Sequence, residues 1–180
     1  MKLRIIGGKD GGKHIKTRQH PNLRPTPQKV KEALFDIIGD IQGNRFLDIF
    51  AGTGQIGIEA LSRYAAFVTF VEKENIFTKK INENINAREN CKIIQGDVYK
   101  FLLKGKDDPY NIIFADPPFF LSMYEKIFET LRYCEMLADN TLLILEHHHT
   151  VELPENVPPW QQTDCRRYGD ILLAFYMKKN

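Results

Sequence analysis

The sequence predicts an α/β fold: a Rossmann-like, mostly parallel sheet of seven strands closed by an antiparallel C-terminal hairpin, with a small β-hairpin ahead of it. Three observations predict it. From residue 45 onward, short apolar runs alternate with stretches of helical periodicity. Those runs are apolar nearly throughout, as strands covered on both faces must be. The first of them leads into Gly52-x-Gly54-x-x-Gly57, a glycine spacing that lets backbone approach a nucleotide-like ligand at the start of a helix.

Each element has its own signal. Residues 3–17, LRIIGGKDGGKHIKT, read as two short strands around a Gly-rich turn. Next, Thr26 stands between Pro25 and Pro27 and is expected to be the N-cap of a helix with Pro27 at its first position. Val30, Ala33, Leu34, Ile37 and Ile38 would form its apolar face. Then RFLDIF is a strand and GQIGIEALSRY a helix; FVTFVE is a strand and NIFTKKINENINARE a helix. CKIIQ, VYKFLLKG, YNIIFA, LSMYEKIFETLRYCEML and NTLLILE continue the strand–helix alternation. VELPENVPPW is a loop holding three prolines, and QQTDCRRY with DILLAFYMKK, joined at Gly169, forms the closing hairpin.

The bulk properties bound the function. With 180 residues, 43% hydrophobic and 27% charged, the chain suits one domain with a full core. No apolar run approaches the ~20 residues that cross a bilayer, and the N-terminus lacks the apolar core of a signal peptide. Cys91, Cys134 and Cys165 fit neither a disulfide framework nor a zinc site, so a reducing cytoplasm is expected. The charge is uneven. Residues 1–31 carry nine Lys/Arg against Asp10, a net +8, so the overall +2 leaves −6 for the remainder. A basic arm on an acidic body suits a polyanionic partner, and equally a solvated Lys-rich surface. Residues 1–24 are read as that arm and residues 25–180 as the main domain.

The loop after the first strand of an open α/β sheet is a ligand site. Glu72 ends the next strand, where a carboxylate can accept hydrogen bonds from ribose hydroxyls, whether of NAD or of S-adenosylmethionine. Asp48 discriminates between them. It would oppose the pyrophosphate of a dinucleotide but suits a ligand with an ammonium and a sulfonium. Alternatively, Asp48 caps backbone amides of the turn. Asp97 could accept from an adenine amino group, cap the following helix, or do both.

Further on, the apolar strand YNIIFA stops at Asp116-Pro117-Pro118-Phe119. Two prolines fix the chain direction, so a carboxylate, a proline carbonyl and an aromatic ring are presented at the same sheet edge. An exocyclic amino group of a base is a poor nucleophile because its lone pair is delocalised. Acceptors at Asp116 and at the Pro117 carbonyl would localise that lone pair, and Phe119 could stack on the base, worth about 1–3 kcal/mol. A plain turn is the alternative.

Together LDIFAGTG, Glu72, Asp97 and DPPF resemble class I S-adenosylmethionine-dependent methyltransferases that modify amino groups. With RIIGGKDGGK and RPTPQKVKEALFDII, nearly the whole chain is similar to the RsmD family of 16S ribosomal RNA guanine-N2 methyltransferases. The resemblance implies methylation of a single guanine, position 966 by convention, in RNA of an assembling small ribosomal subunit. It implies that Asp48, Phe50, Ala51, Gly52, Thr53 and Gly54 border the methionine part of S-adenosylmethionine, that Glu72 and Lys73 hold its ribose, and that Asp97 and Val98 flank its adenine. Asp116, Pro117, Pro118 and Phe119 would hold the target amino group, and Arg4, Lys13, Arg18, Arg24, Pro25 and Thr26 would contact RNA. A monomer is expected, since the basic arm must stay free.

One departure from the family is the run His147-His148-His149. His147 and His149 would share a strand face without an evident third ligand, so a solvent-facing strand end is expected and no metal. Other readings stay open: a DNA or RNA adenine-N6 methyltransferase, an NAD-dependent oxidoreductase, and a non-catalytic RNA-binding assembly factor.

Overall fold

The computed structural model describes residues 3–17, 25–86, 88–118 and 120–179. Strands β1 (Leu3–Arg4) and β2 (His14–Ile15) form the small antiparallel hairpin around a single 3₁₀ turn at Gly8–Asp10. Helix α1 (Gln28–Ile38) leads to the alternating body: β3 (Arg45–Ile49), α2 (Gln55–Ser62), β4 (Phe67–Glu72), α3 (Asn75–Ile85), β5 (Cys91–Gln95), α4 (Val98–Lys104), β6 (Tyr110–Ala115), α5 (Leu121–Leu131) and β7 (Leu137–His148). Then come β8 (Asn156–Val157), β9 (Trp160–Tyr168) and β10 (Ile171–Lys178).

The main sheet has eight strands in the order β5-β4-β3-β6-β7-β10-β9-β8. The first five are parallel; β10 inserts antiparallel between β7 and β9. Seven strands were expected. The eighth is β8, two residues of the three-proline loop that pair with the start of β9. Strand order reverses between β3 and β6, the position at which an open α/β sheet binds its ligand.

Side-chain alternation divides the core in two. On one face Phe46, Val68, Phe70, Ile112, Phe114 and Ile144 pack with residues of α1, α2 and α3. On the other, Leu47, Ile49, Val71, Ile113 and Leu145 pack with residues of α4 and α5. Helix α2 is buried at every one of its eight positions, because α1, the N-terminal hairpin and the sheet enclose it. Gly57 permits that closeness: a Cβ there would stand 2.3 Å from Cε1 of Phe70.

Two expectations about α1 need correction. Its N-cap residue is Pro27, not Thr26, and no side chain caps it. Its buried face is Val30, Lys31, Leu34 and Phe35, whereas Ile37 is 39% exposed. A lysine belongs to that face because Glu59 of α2 meets it. Lys31 Nζ stands 3.2 Å from Glu59 Oε2 and donates to the Arg4 carbonyl at 2.7 Å. Glu59 also accepts from the amides of Ile6 (2.7 Å) and Gly7 (2.8 Å) and from Arg63 Nε (3.0 Å). One buried carboxylate thus fastens the hairpin, α1 and α2. Burial lowers the pKa of Lys31, and Glu59 opposes that shift.

Removing one partner of such a pair leaves a buried charge unmatched. Glu59→Ala is expected to destabilise the fold by about 3–5 kcal/mol, measured by urea unfolding; a loss below about 1 kcal/mol would mean that the pair behaves like an exposed one.

Candidate active site

The carboxyl ends of the parallel strands define the site. In register, Asp48 of β3 lies beside Phe114 of β6, and Ala115 beside Leu145 of β7. Asp116 and Glu146 therefore follow at matching positions, on the sheet face that also carries Asp48 and Glu72. Four neighbouring strands, β4-β3-β6-β7, each contribute one acid to that edge.

The glycine loop arranges the first two. Phe50, Gly52 and Gly54 all have positive φ (59°, 52° and 76°). Such a φ is strained at Phe50, the kind of strain that ligand sites store. The loop turns sharply enough for α2 to start at Gln55, and the Gly57 amide donates to Asp48 Oδ2 at 2.9 Å. Asp48 thus caps backbone in its turn, one of its two sequence readings, and also lines the pocket beside the loop. Burial pushes its carboxyl well above the ordinary range, against the Gly57 bond, and the charge of Glu72 adds to the rise. Glu72 accepts from the amides of Gly52 (2.7 Å) and Glu74 (2.8 Å), which fix its carboxylate beside the loop. Asp97 caps α4 through the Lys100 amide at 2.9 Å.

At the end of β6, the pocket brings together Asp48, Asp116, Phe50, Gly52 and Thr53 with Pro25 and Thr26 from the segment before α1. Pro117 is buried and Pro118 exposed. Burial raises the Asp116 carboxyl well above its usual value, and the charges of Glu146 and Asp48 raise it further. Ala51, which lines that pocket, and Val98, at the start of α4, are buried, while Lys73 is exposed. Phe50 packs edge-on against Tyr99, with ring centroids 6.1 Å apart.

Of the expected RNA contacts, Arg4 is exposed on the hairpin. Lys13 is ion-paired with Asp10 at 2.6 Å, and Asp10 also binds Arg88. Thr26 is only 3% exposed. Arg18, Arg24 and Phe119 lie outside the described residues. Beside the DPP turn, Phe120 presents a ring that is 67% exposed, and the doublet Phe119-Phe120 in the sequence was its signal.

Glu146 was not anticipated. It is 2% exposed and accepts from Thr26 Oγ1 at 2.9 Å, while its carbonyl accepts from Tyr124 Oη at 3.0 Å. The neighbouring histidines also differ from expectation. His147 is buried against Tyr124, and burial lowers its pKa, so the strand end does not simply face solvent. The rings that meet are those of His148 and His149, with centroids 4.4 Å apart. His149 also pairs with Asp170 at 3.6 Å.

Fold and site together define the class: a Rossmann-like, S-adenosylmethionine-dependent methyltransferase. The family model described as "Conserved hypothetical protein 95" matches residues 3–177. The chain belongs to that family, the RsmD family. Ribosomal RNA small subunit methyltransferase D of Escherichia coli is 32% identical over 180 residues, covering 98% of this chain and 90% of that protein. The protein of the same name from Buchnera aphidicola is 36% identical over 160 residues, covering 86% and 84%. Among solved structures, Escherichia coli yhhF, provisionally described as a methyltransferase, superposes with a TM-score of 0.88 at 30% identity, covering 100% of this chain and 99% of that one. Among the described residues, no helix is long and apolar enough to cross a membrane.

Burial raises Glu146 from its ordinary 4.5 to about 7, although the Thr26 hydroxyl pulls the other way. The folded state thus holds a proton that the unfolded chain releases, and stability falls as pH rises through that window. Glu146→Gln, which keeps an acceptor for Thr26, is expected to gain stability relative to wild type above about pH 7 and none near pH 4. Thermal melts at both ends test this; an equal effect at both pH values would contradict it.

Proposed function

We propose that this protein transfers a methyl group from S-adenosylmethionine to the exocyclic N2 of a guanine in small-subunit ribosomal RNA. The observation that carries the reading is the meeting, in one pocket, of the glycine loop, Asp116 and the segment ahead of α1. The names of the curated relatives support the RNA substrate.

The donor set suits a cationic ligand. Asp48 and Glu72 border the glycine loop without a basic side chain among the pocket's lining residues, so a pyrophosphate would meet only carboxylates and backbone amides. Glu72 would accept from the ribose hydroxyls with the lone pairs that the Gly52 and Glu74 amides leave unused. Asp97 and Val98, at the start of α4, would flank the adenine. When bound, S-adenosylmethionine supplies an electrophilic methyl group on a sulfonium.

The residues then act on the base. Asp116 and the Pro117 carbonyl accept the two amino hydrogens, which turns the nitrogen lone pair toward the methyl carbon. Phe119 would stack on the base, and Phe120, next in the sequence, is exposed. Held in this way, the amino nitrogen would accept through that lone pair the methyl group that S-adenosylmethionine would supply, its sulfur leaving as a neutral thioether. The amino group becomes cationic and gives a proton to Asp116. Most of the acceleration therefore comes from alignment, since no strong base is needed before the methyl moves.

The basic N-terminal stretch, with Arg4, Arg18, Arg24 and Pro25, would lie along the RNA backbone, and binding should weaken with salt. The substrate is an assembling small subunit, on which the enzyme acts as a monomer in the cytoplasm. Labelled methyl from S-adenosylmethionine should appear as N2-methylguanine in small subunits lacking the modification, with turnover reduced at least about 100-fold in Asp116→Ala. Label in adenine, or turnover unaffected by that substitution, would overturn the assignment.

A further inference from the structure

We infer that Glu146 is a positioning residue for the transfer: it forms one proton-sharing carboxyl pair with Asp116 and ties that pair to the Thr26 segment. The inference rests on the role of Asp116 given above.

Three observations support it independently of any titration. The parallel ladder runs from Phe114↔Ile144 to Ala115↔Leu145, so Asp116 and Glu146 come next, side by side on one face. Glu146 is buried, and its Oε2 takes the Thr26 hydroxyl at 2.9 Å, across 120 residues of sequence. Thr26 is at the same time a wall of the pocket that holds Asp116, and its carbonyl accepts from Gln55 Nε2 at 3.2 Å, on the first residue of α2. Glu146 is therefore linked to the reaction pocket in two ways: by its place next to Asp116 in the register and by its hydrogen bond to Thr26.

The groups around the pair fix what it does. From β3 comes Asp48, a further negative charge acting on Asp116. From α5 comes Tyr124, whose hydroxyl binds the Glu146 carbonyl; burial raises its pKa, with the charges of Asp116 and Glu146 adding to the rise. From β10 the register partner is Leu173, which is apolar. Burial opposes the charged form of His147. Two neighbouring carboxyls without a cation among these groups cannot both ionise readily, because the charge of one opposes that of the other, and the pair can share a proton.

That proton has a use. An arriving amino group donates to Asp116 and stabilises its ionised form, so the shared proton settles on Glu146. Asp116 is thereby ready to accept without the enzyme having first to expel a proton to solvent. When the methylated amino group gives up its proton, Asp116 takes it; the pair then holds two protons and returns one to water. The bond from Thr26 to Glu146 links this state to the segment that leads back toward the basic arm.

The test follows the carboxyl carbons of Asp116 and Glu146 by NMR against pH in the ligand-free protein. In Glu146→Gln the Asp116 titration is expected to move down by about one pH unit, because a neighbouring negative charge is gone. The acid limb of kcat for methyl transfer should move down with it. Thr26→Val serves as the second variant: losing the hydroxyl should move the Glu146 midpoint upward. An Asp116 midpoint and a kcat profile that are both unchanged in Glu146→Gln overturn the pairing. Asp116→Asn is the separating control: if it retains full turnover, the assigned role of Asp116 fails, whatever the NMR shows of the pair.

Discussion

Everything in the site depends on the parallel register of β4, β3, β6 and β7. Because the four strands run in one direction and in step, an acid near the end of each lands on the same edge and the same face. Such a concentration of carboxyls is costly to bury, and the fold offsets the cost unequally. Glu72 receives two backbone amides and Asp48 one, whereas Glu146 receives a hydroxyl from a distant segment. Burial opposes the charge of Asp48, Asp116 and Glu146 alike, so one backbone amide or one hydroxyl offsets it only in part. An edge of this kind repels a pyrophosphate and favours a ligand that brings positive charge and N–H donors, which is the division of labour a methyltransferase requires.

A second acid, remote from the chemistry, holds the first arrangement in place. Glu59 lies inside α2 and gathers Lys31, Arg63 and the amides of Ile6 and Gly7. The N-terminal hairpin is consequently part of the packing: Leu3, Ile5 and Ile15 share a core cluster with α1 and α2. The same contacts set where the chain leaves the hairpin and where it returns at Pro25. The position of Thr26 over the pocket is thus tied to the interior of α2 at one end and to Glu146 at the other.

How much of this could be read from sequence depended on whether the signal was local. The strands CKIIQ and YNIIFA occupy the residues expected, because an apolar run between turn residues is a local pattern. Asp48 and Glu72 stand out for the same reason, each ending a strand next to a glycine loop or twenty residues beyond it. Glu146 ends a strand just as plainly, yet its meaning requires knowing that β7 lies beside β6 and that Thr26 reaches across to it. Thr26 reads as a helix cap because Pro-Thr-Pro imitates one; its hydroxyl is used instead on a partner that local pattern cannot supply. Lys31 counts by its charge with the basic N-terminal stretch, and His147 reads by its neighbours as part of a solvent-facing strand end. Both are buried because a long-range partner or ring meets them: Glu59 in one case, Tyr124 in the other.

The most direct test of the account is a structure of the protein with S-adenosylhomocysteine bound. The account predicts the ribose hydroxyls on Glu72, the adenine beside Asp97 and Val98, and the sulfur facing the gap between Asp116 and Thr26. A ligand bound elsewhere, or lying with its sulfur turned away from Asp116, would contradict the claim that this acid-lined edge is where methyl group and amino group meet.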